Sequence, residues 1–486
     1  MTGQGSDGSL DRSLAHAVAW GAAARWASQI VSWASTIVVA RLLTPYDYGL
    51  VGMAGLYLQL TLLISQAGIG DAVIALRDLT RRQIAELNTI SLIMGAGLTG
   101  LSCALAPLVA RFFSEPLLVA VIVVASVGYL INAIQVVPKA LLQRDLRFKL
   151  LAAIETVRAF SQIISTVLFA WLNFRYWSLV FGYIVSSIVA SSLTYYWMRH
   201  EFATPSIANL RRELRFSRDA LLSRIASYVY DNADFGVAGR VLGGAALGNY
   251  TVAWTISAAP IDKIGSLVTG VTPAFFSAVQ TDKAELSRYF LRLTELVSFV
   301  TVPASIGIAL VADYLVPVLL GPRWHGVIGP LRLLGIFVAV RSVATIFPNL
   351  LTAVGHVGFV MRATLGAAIT MPIAFLIGSR WGTNGIAAAW VVAYPLIMIP
   401  MYYKALSITG LSVKEHISVI VPAVSSSAIM AVVLIVTRSM LATGARSLID
   451  LALLVIIGVM SYAGALFAFH RNRVSALLRT FRRVFA

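Results

Sequence analysis

The chain of 486 residues is 58% hydrophobic and only 12% charged, with a mean hydropathy of +0.83. Soluble domains carry roughly a quarter charged residues, so this chain lacks the polar surface of a water-soluble globule, and lipid must be its solvent. Its net charge of +17 lies in short clusters between apolar runs, which excludes nucleic acid as a partner; the single cysteine, Cys103, excludes an internal disulfide, and no Cys/His cluster points to a metal site.

A membrane crossing needs roughly 20 mostly apolar residues. The sequence predicts fourteen crossings, near 17–40, 48–68, 86–108, 117–137, 151–173, 177–197, 219–239, 249–275, 293–318, 328–350, 361–379, 385–402, 417–437 and 448–469. Residues 1–12 are polar and show no cleavable signal pattern, so the first crossing is expected to stay in the protein. Lys and Arg concentrate in alternate connections. The rich ones hold clusters such as Arg77, Arg81 and Arg82, then Lys139, Arg144, Arg147 and Lys149, then Arg211, Arg212, Arg215 and Arg218. The poor ones hold single arginines such as Arg41, Arg111, Arg175 and Arg240. The positive-inside rule then places both termini in the cytoplasm. The expected division is a first lobe over 1–198, a basic cytoplasmic linker over 199–218, a second lobe over 219–404, and two further helices with a basic tail over 405–486.

Shifting the chain by 199 residues aligns Arg25, Ala27, Ser28, Ala34, Val38, Arg41, Leu43, Gly49 and Ala54 with Arg224, Ala226, Ser227, Ala233, Val237, Arg240, Leu242, Gly248 and Ala253, without a gap. Six crossings separate the copies, so they run in the same direction. Parallel six-helix repeats are a recurrent transporter plan, with substrate between the halves and rocking of one against the other. Gly49 and Gly248 are expected to permit close helix approach.

Polar residues inside the crossings fall on one face. Arg25, Ser28, Gln29, Ser32 and Ser35 follow helical spacing, and Arg224, Ser227, Asp231 and Asp234 repeat the stripe. Intramembrane charge is costly and marks function by default. The arginines suit phosphate, which a guanidinium meets bidentately. Asp231 and Asp234 suit either ion pairing or the carriage of a proton or Na⁺. Glu155 and Arg158, three apart, are expected to close a local ion pair. Lys263 and Arg341 are further cavity candidates, and Arg332 is expected at the outer interface. No P-loop, HExxH or GxSxG is present, which argues against an enzyme.

Several stretches resemble the polysaccharide transporter family, the Wzx-like O-antigen and exopolysaccharide flippases of the multidrug/oligosaccharidyl-lipid/polysaccharide exporter superfamily. They are Val39-Ala40-Arg41-Leu42-Leu43 with Asp47-Tyr48-Gly49; the segment from Pro138 to Phe148, with its Leu142-Gln143-Arg144-x-Leu146-x-Phe148; Asp234 with Arg240-Val241-Leu242-Gly243 and Gly248-Asn249-Tyr250; Pro273 followed by 282–292; and Leu320-Gly321-Pro322-Arg323-Trp324. The resemblance implies an all-α integral membrane protein of about fourteen transmembrane helices, with two six-helix lobes in a V and two C-terminal helices. It implies a substrate of oligosaccharide joined by pyrophosphate to a polyprenol lipid, turned from inner to outer leaflet of a bacterial inner membrane. It implies a cationic cavity, to which Arg25, Arg224, Ser28, Gln29, Ser32, Lys263 and Arg341 are assigned, with Asp231 and Asp234 as coupling residues for H⁺ or Na⁺ and no other cofactor. Expected partners are the lipid-linked oligosaccharide, membrane lipids, and polysaccharide polymerase or export machinery. Two alternatives remain: a multidrug or small-cation antiporter of the same superfamily, or a membrane polysaccharide polymerase.

Overall fold

The computed structural model describes residues 35, 37–66, 69–76, 78–199, 201–205, 227–259, 276, 279, 282–441 and 447–485, and among these the chain is helical, with no strand. The helices are α1 (Pro45–Gln66), α2 (Ile69–Ala75), α3 (Arg81–Phe113), α4 (Leu118–Arg144), α5 (Phe148–Trp171), α6 (Trp177–Trp197), α7 (Lys283–Leu315), α8 (Ile328–Ala344), α9 (Ile346–Ala353), α10 (Val357–Gly378), α11 (Gly382–Thr409), α12 (Val413–Leu441) and α13 (Leu448–Phe485). Helical residues 227–237 and 244–259 lie between α6 and α7. Nine segments among the described residues are long and apolar enough to cross a bilayer. This is a multi-pass membrane protein of the all-α class.

The sequence punctuates these helices where they meet polar surroundings. Before α3, Thr80 N donates to Gln83 Oε1 at 3.0 Å and Gln83 N donates back to Thr80 Oγ1 at 3.3 Å. The same reciprocal cap opens α12, between Ser412 and Glu415, and α13, between Ser447 and Asp450. Asp282 caps α7 by accepting from Ala284 N and Glu285 N. Each cap satisfies backbone donors that the first helical turn leaves open.

The chain forms two compact units. The first takes Met1–Thr44, Leu58–Arg111 and Pro116–Leu221; the second takes Pro45–Tyr57, Phe112–Glu115 and Leu222–Ala486. In the first, Ile69, Val73, Leu87, Val137, Ala140 and Leu141 form an apolar cluster joining α2, α3 and α4. Beside it runs a polar seam. Gln135 donates to Asn132 Oδ1 at 2.6 Å, and Asn132 donates to Tyr183 Oη at 3.1 Å. Glu155 holds Arg158 at 2.6 Å, the pair expected from their spacing, and also Lys139 at 2.7 Å.

In the second unit, glycines set the closest helix approaches. An ideal Cβ on Gly49 would lie 1.7 Å from the Gly244 carbonyl oxygen, and one on Gly248 would lie 1.8 Å from the Pro45 carbonyl oxygen. Under the 199-residue shift Gly49 corresponds to Gly248 and Pro45 to Gly244. The contact is therefore reciprocal: each copy's glycine meets the residue equivalent to its own neighbour, as two-fold related contacts do. A second close approach joins α10 to α11, where a Cβ on Gly385 would lie 1.9 Å from the Gly378 carbonyl oxygen. The intervening turn places Gly382 at φ +68°, a conformation glycine adopts without a Cβ clash.

Asp313 near the end of α7 anchors two neighbours. It pairs with Arg332 of α8 and with Arg438 of α12, and Arg438 also donates to the Leu310 carbonyl at 2.7 Å. This ion pair ties α12 to the body of the unit.

Gly248→Val is expected to lower the thermal midpoint of the detergent-solubilised protein sharply. The new side chain meets backbone, so the cost should reach or exceed the ~1–3 kcal/mol typical of overpacking. Gly458→Ala is the control, because its nearest neighbour is the flexible Leu434 side chain at 3.4 Å, and its midpoint should barely move. Equal midpoints for the two variants would refute the close-approach role of Gly248.

Candidate functional site

Within the second unit, one cluster of described polar residues centres on the buried Asp234. Residues 227–237 are α-helical, then Ala238–Leu242 widen into a π-helix, and Gly243 turns the chain at φ 85°, ψ 179°. That region is open almost only to glycine, and π-helical turns recur at functional sites. The following helix, 244–259, brings Tyr250 back against Asp234. Tyr250 Oη donates to Asp234 Oδ2 at 2.7 Å, and Trp390 Nε1 of α11 donates to the same oxygen at 2.9 Å. Asp234, Tyr250 and Trp390 are all buried. One oxygen of this buried carboxylate is thus held by neutral donors without a salt bridge, while Oδ1 is buried with no hydrogen-bond partner.

Asp231 lies one turn earlier and is exposed. The two acids of the polar stripe thus occupy different settings. Asp234 belongs to the packed interior; Asp231 is open at its edge, within electrostatic reach of Arg341.

Arg341, on α8, is the cation of the cluster. Its guanidinium carbon lies 5.5 Å from the Trp254 ring centroid and 5.8 Å from that of Phe337. These rings continue into an aromatic wall. Phe337 stacks on Trp390 at 4.8 Å, Trp254 lies 5.6 Å from Trp390, and Tyr394 meets Phe337 edge-on at 5.1 Å. Aromatic faces attract a cation through their quadrupoles while leaving its N–H donors free. Among the described residues no carboxylate lies within ion-pair distance of Arg341. The cluster therefore offers a positioned guanidinium, one accessible carboxylate, one buried carboxylate and flat apolar walls. Among the described residues no group of His, Cys, Asp and Glu is arranged to hold a metal ion.

Of the residues singled out from sequence, Asp231, Asp234 and Arg341 meet here. Arg25, Ser28, Gln29, Ser32, Arg224 and Lys263 lie outside the described residues. Arg332 pairs with Asp313 and belongs to the anchor described above. The sequence reading missed Tyr250, Trp254, Phe337, Trp390 and Tyr394. Tyr250 sits in the Gly248-Asn249-Tyr250 stretch noted for its resemblance, whereas Trp390 carries no local signal.

A family model described as polysaccharide biosynthesis protein matches residues 38–329. The chain belongs to this family. Among its relatives, the lipopolysaccharide biosynthesis protein WzxC of Escherichia coli is 24% identical over 389 residues, covering 78% of each chain. The succinoglycan biosynthesis transport protein ExoT of Rhizobium meliloti is 24% identical over 393 residues, covering 78% of this chain and 77% of its own. In fold, the chain is similar to the lipid II flippase MurJ in an inward closed conformation, with a TM-score of 0.75 at 13% identity, over 93% of this chain and 99% of that one. The family and this fold agree with the polysaccharide-transporter resemblance seen in the sequence.

Tyr250→Phe and Trp390→Phe each remove one of the two donors on a buried carboxylate oxygen. Each should cost about 1–3 kcal/mol, read as a lower thermal midpoint. The double variant should lose more than either single one. A midpoint unchanged in both single variants would remove these donors from the support of Asp234.

Proposed function

We propose that this protein is a flippase that carries a polyprenol-pyrophosphate-linked oligosaccharide from the inner to the outer leaflet, by alternating access, in the export of exopolysaccharide, capsule or O-antigen. It acts as a transporter and not as a catalyst. We place it in a bacterial inner membrane with both termini cytoplasmic, with lobes at 1–198 and 219–404 joined by the basic 199–218 segment, and with 405–486 adding two helices and a tail. Polymerase and export machinery are its proposed neighbours.

The observation that carries this reading is Arg341: a guanidinium inside a membrane unit, steadied by rings instead of a carboxylate, in a family whose relatives include polysaccharide transport proteins. Such a group keeps its fork of donors for an anionic ligand, and phosphate oxygens fit it. The aromatic walls suit the apolar faces of sugar rings. Arg25 and Arg224, equivalent in the repeat, are proposed as further guanidinium ligands of the pyrophosphate; Ser28, Gln29 and Ser32 as polar contacts for the head group; and Lys263 as an additional cation. Asp231 and Asp234 are proposed to couple transport to an H⁺ or Na⁺ gradient.

One observation favours the small-cation antiporter instead: two carboxylates beside aromatic rings form a familiar cation setting. Arg341 in the same cluster weighs against it, because a fixed positive charge repels a cationic drug.

Two expected outcomes separate these readings. In reconstituted liposomes, Arg341→Ala should slow translocation of the lipid-linked oligosaccharide about tenfold or more, the equivalent of one charge-assisted hydrogen bond of about 1.5–3 kcal/mol. Arg341→Lys should fall between that variant and the parent, and Arg25→Ala and Arg224→Ala should also slow transport. Faster export of a small cation by Arg341→Ala, with lipid-linked transport unchanged, would favour the antiporter. Secondly, Asp231→Asn and Asp234→Asn should remove the response to imposed pH or Na⁺ gradients while substrate binding persists. An unchanged gradient response in the double variant would exclude both acids from coupling.

A further inference from the structure

A second feature of the Leu222–Ala486 unit adjoins the Asp234 cluster, with Tyr394 lining both. A groove of about 610 Å³ runs between α7, α8, α9, α11 and α12, within the ~300–1,000 Å³ range of ligand pockets. Its wall is almost wholly apolar, and Ile336, Val340, Ile399, Ile417 and Val424 leave it open on the protein surface. Along α12 the lining extends from His416 to Ala428. Twelve residues of helix span about 18 Å, close to one leaflet's share of a hydrocarbon core of about 30 Å.

One end of the groove is polar. His416 is only 2% exposed, and neither ring nitrogen has a hydrogen-bond partner. Its ring stacks on Phe290 at 5.2 Å and is flanked by Tyr402 at 5.3 Å and Phe347 at 5.9 Å. The buried Tyr402 hydroxyl is also unpartnered. Two buried polar side chains left without partners at one end of an apolar groove are costly. The same end is cationic. Lys404 and Lys414 flank Tyr402 and His416 in the chain. Lys283 reaches over the α11–α12 turn, its Nζ 2.9 Å from where a Cβ of Gly410 would stand. None of the three lysines forms an ion pair among the described residues. The neighbouring acid, Glu415, is engaged in capping α12.

We propose that this groove is a binding site for a resident anionic phospholipid, distinct from the transported substrate. One acyl chain lies along the groove. The ester region meets His416 and Tyr402, and the phosphate meets Lys283, Lys404 and Lys414. The groove's length matches a single leaflet's chain, its open side faces hydrocarbon, and its lysines complement a negative head group. The site rests on packing within one unit and does not depend on the transport reading.

The experiment uses the full-length protein in detergent, with phosphatidylglycerol and phosphatidylcholine of the same acyl chains as probes and native mass spectrometry as the readout. The parent should retain one phosphatidylglycerol, with about tenfold preference over phosphatidylcholine. Ala428→Trp fills the groove from an exposed position and should reduce that adduct about tenfold or more. His416→Phe keeps the ring and removes both nitrogens, and should weaken binding several-fold. Lys404→Ala/Lys414→Ala, both at solvent-accessible positions, should abolish most of the head-group preference. Equal retention of the two lipids by the parent, an unchanged adduct in Ala428→Trp, or a polyprenyl phosphate retained in place of phosphatidylglycerol would each overturn the proposal.

Discussion

A charge near the middle of a membrane helix costs at least about 2.5–3.5 kcal/mol, and water is not there to offset it. Each charged residue among the apolar helices must therefore be answered by the protein or by a ligand. Glu155 is shared by Lys139 and Arg158. Asp313 is shared by Arg332 and Arg438. In both clusters one carboxylate serves two cations on different helices, which fixes the packing of those helices and leaves a net positive charge. Asp234 follows another course, taking neutral donors from Tyr250 and Trp390. Replacing cations with neutral donors leaves the acid's own charge uncancelled by any neighbouring cation.

Much of the helical scaffold was legible because bilayer thickness leaves a coarse signal. The apolar run 117–137 became α4, 177–197 became α6, and 417–437 became the heart of α12. Boundaries moved outward wherever a cap extended the helix beyond its apolar part, as Ser412 and Glu415 do before α12 and Thr80 and Gln83 before α3. The closeness of Gly49 and Gly248 was legible for a different reason: the repeat matched them, and a small residue kept at equivalent places in two copies suggests backbone proximity. The nearest backbone to Gly248, the carbonyl of Pro45, lay far along the chain and could be found only in three dimensions.

The candidate site was legible in half. Helical spacing put Asp231 and Asp234 on one face, because a face is a local property of one helix. What each acid meets across that face is not local. Tyr250 lies 16 residues away and Trp390 lies 156 away, and no periodicity connects them to Asp234. The same limit applied to Arg341, visible as a lone arginine in an apolar run but without any sign of its rings. Spacing also treated the two acids as a matched pair. Packing separates them, because one turn of helix suffices to carry a side chain from an exposed edge to a closed interior.

Holding a cation against rings and not against a carboxylate has a consequence for binding. An Arg–Asp pair presents an anionic ligand with a competitor already in place, and binding must break that pair in a medium where breaking it is expensive. Aromatic faces stabilise the guanidinium by roughly 0.5–2 kcal/mol and occupy none of its hydrogen-bond donors. Arg341 is therefore held in the membrane unit with its donors uncommitted, and in the role proposed for it an anionic ligand would bind without an exchange of partners. A transporter must release its cargo as readily as it captures it, so for the proposed role a modest and non-competing hold on the cation is better suited than a strong salt bridge. In this respect Arg341 differs from Arg332 and Arg438, whose shared carboxylate makes them parts of the frame.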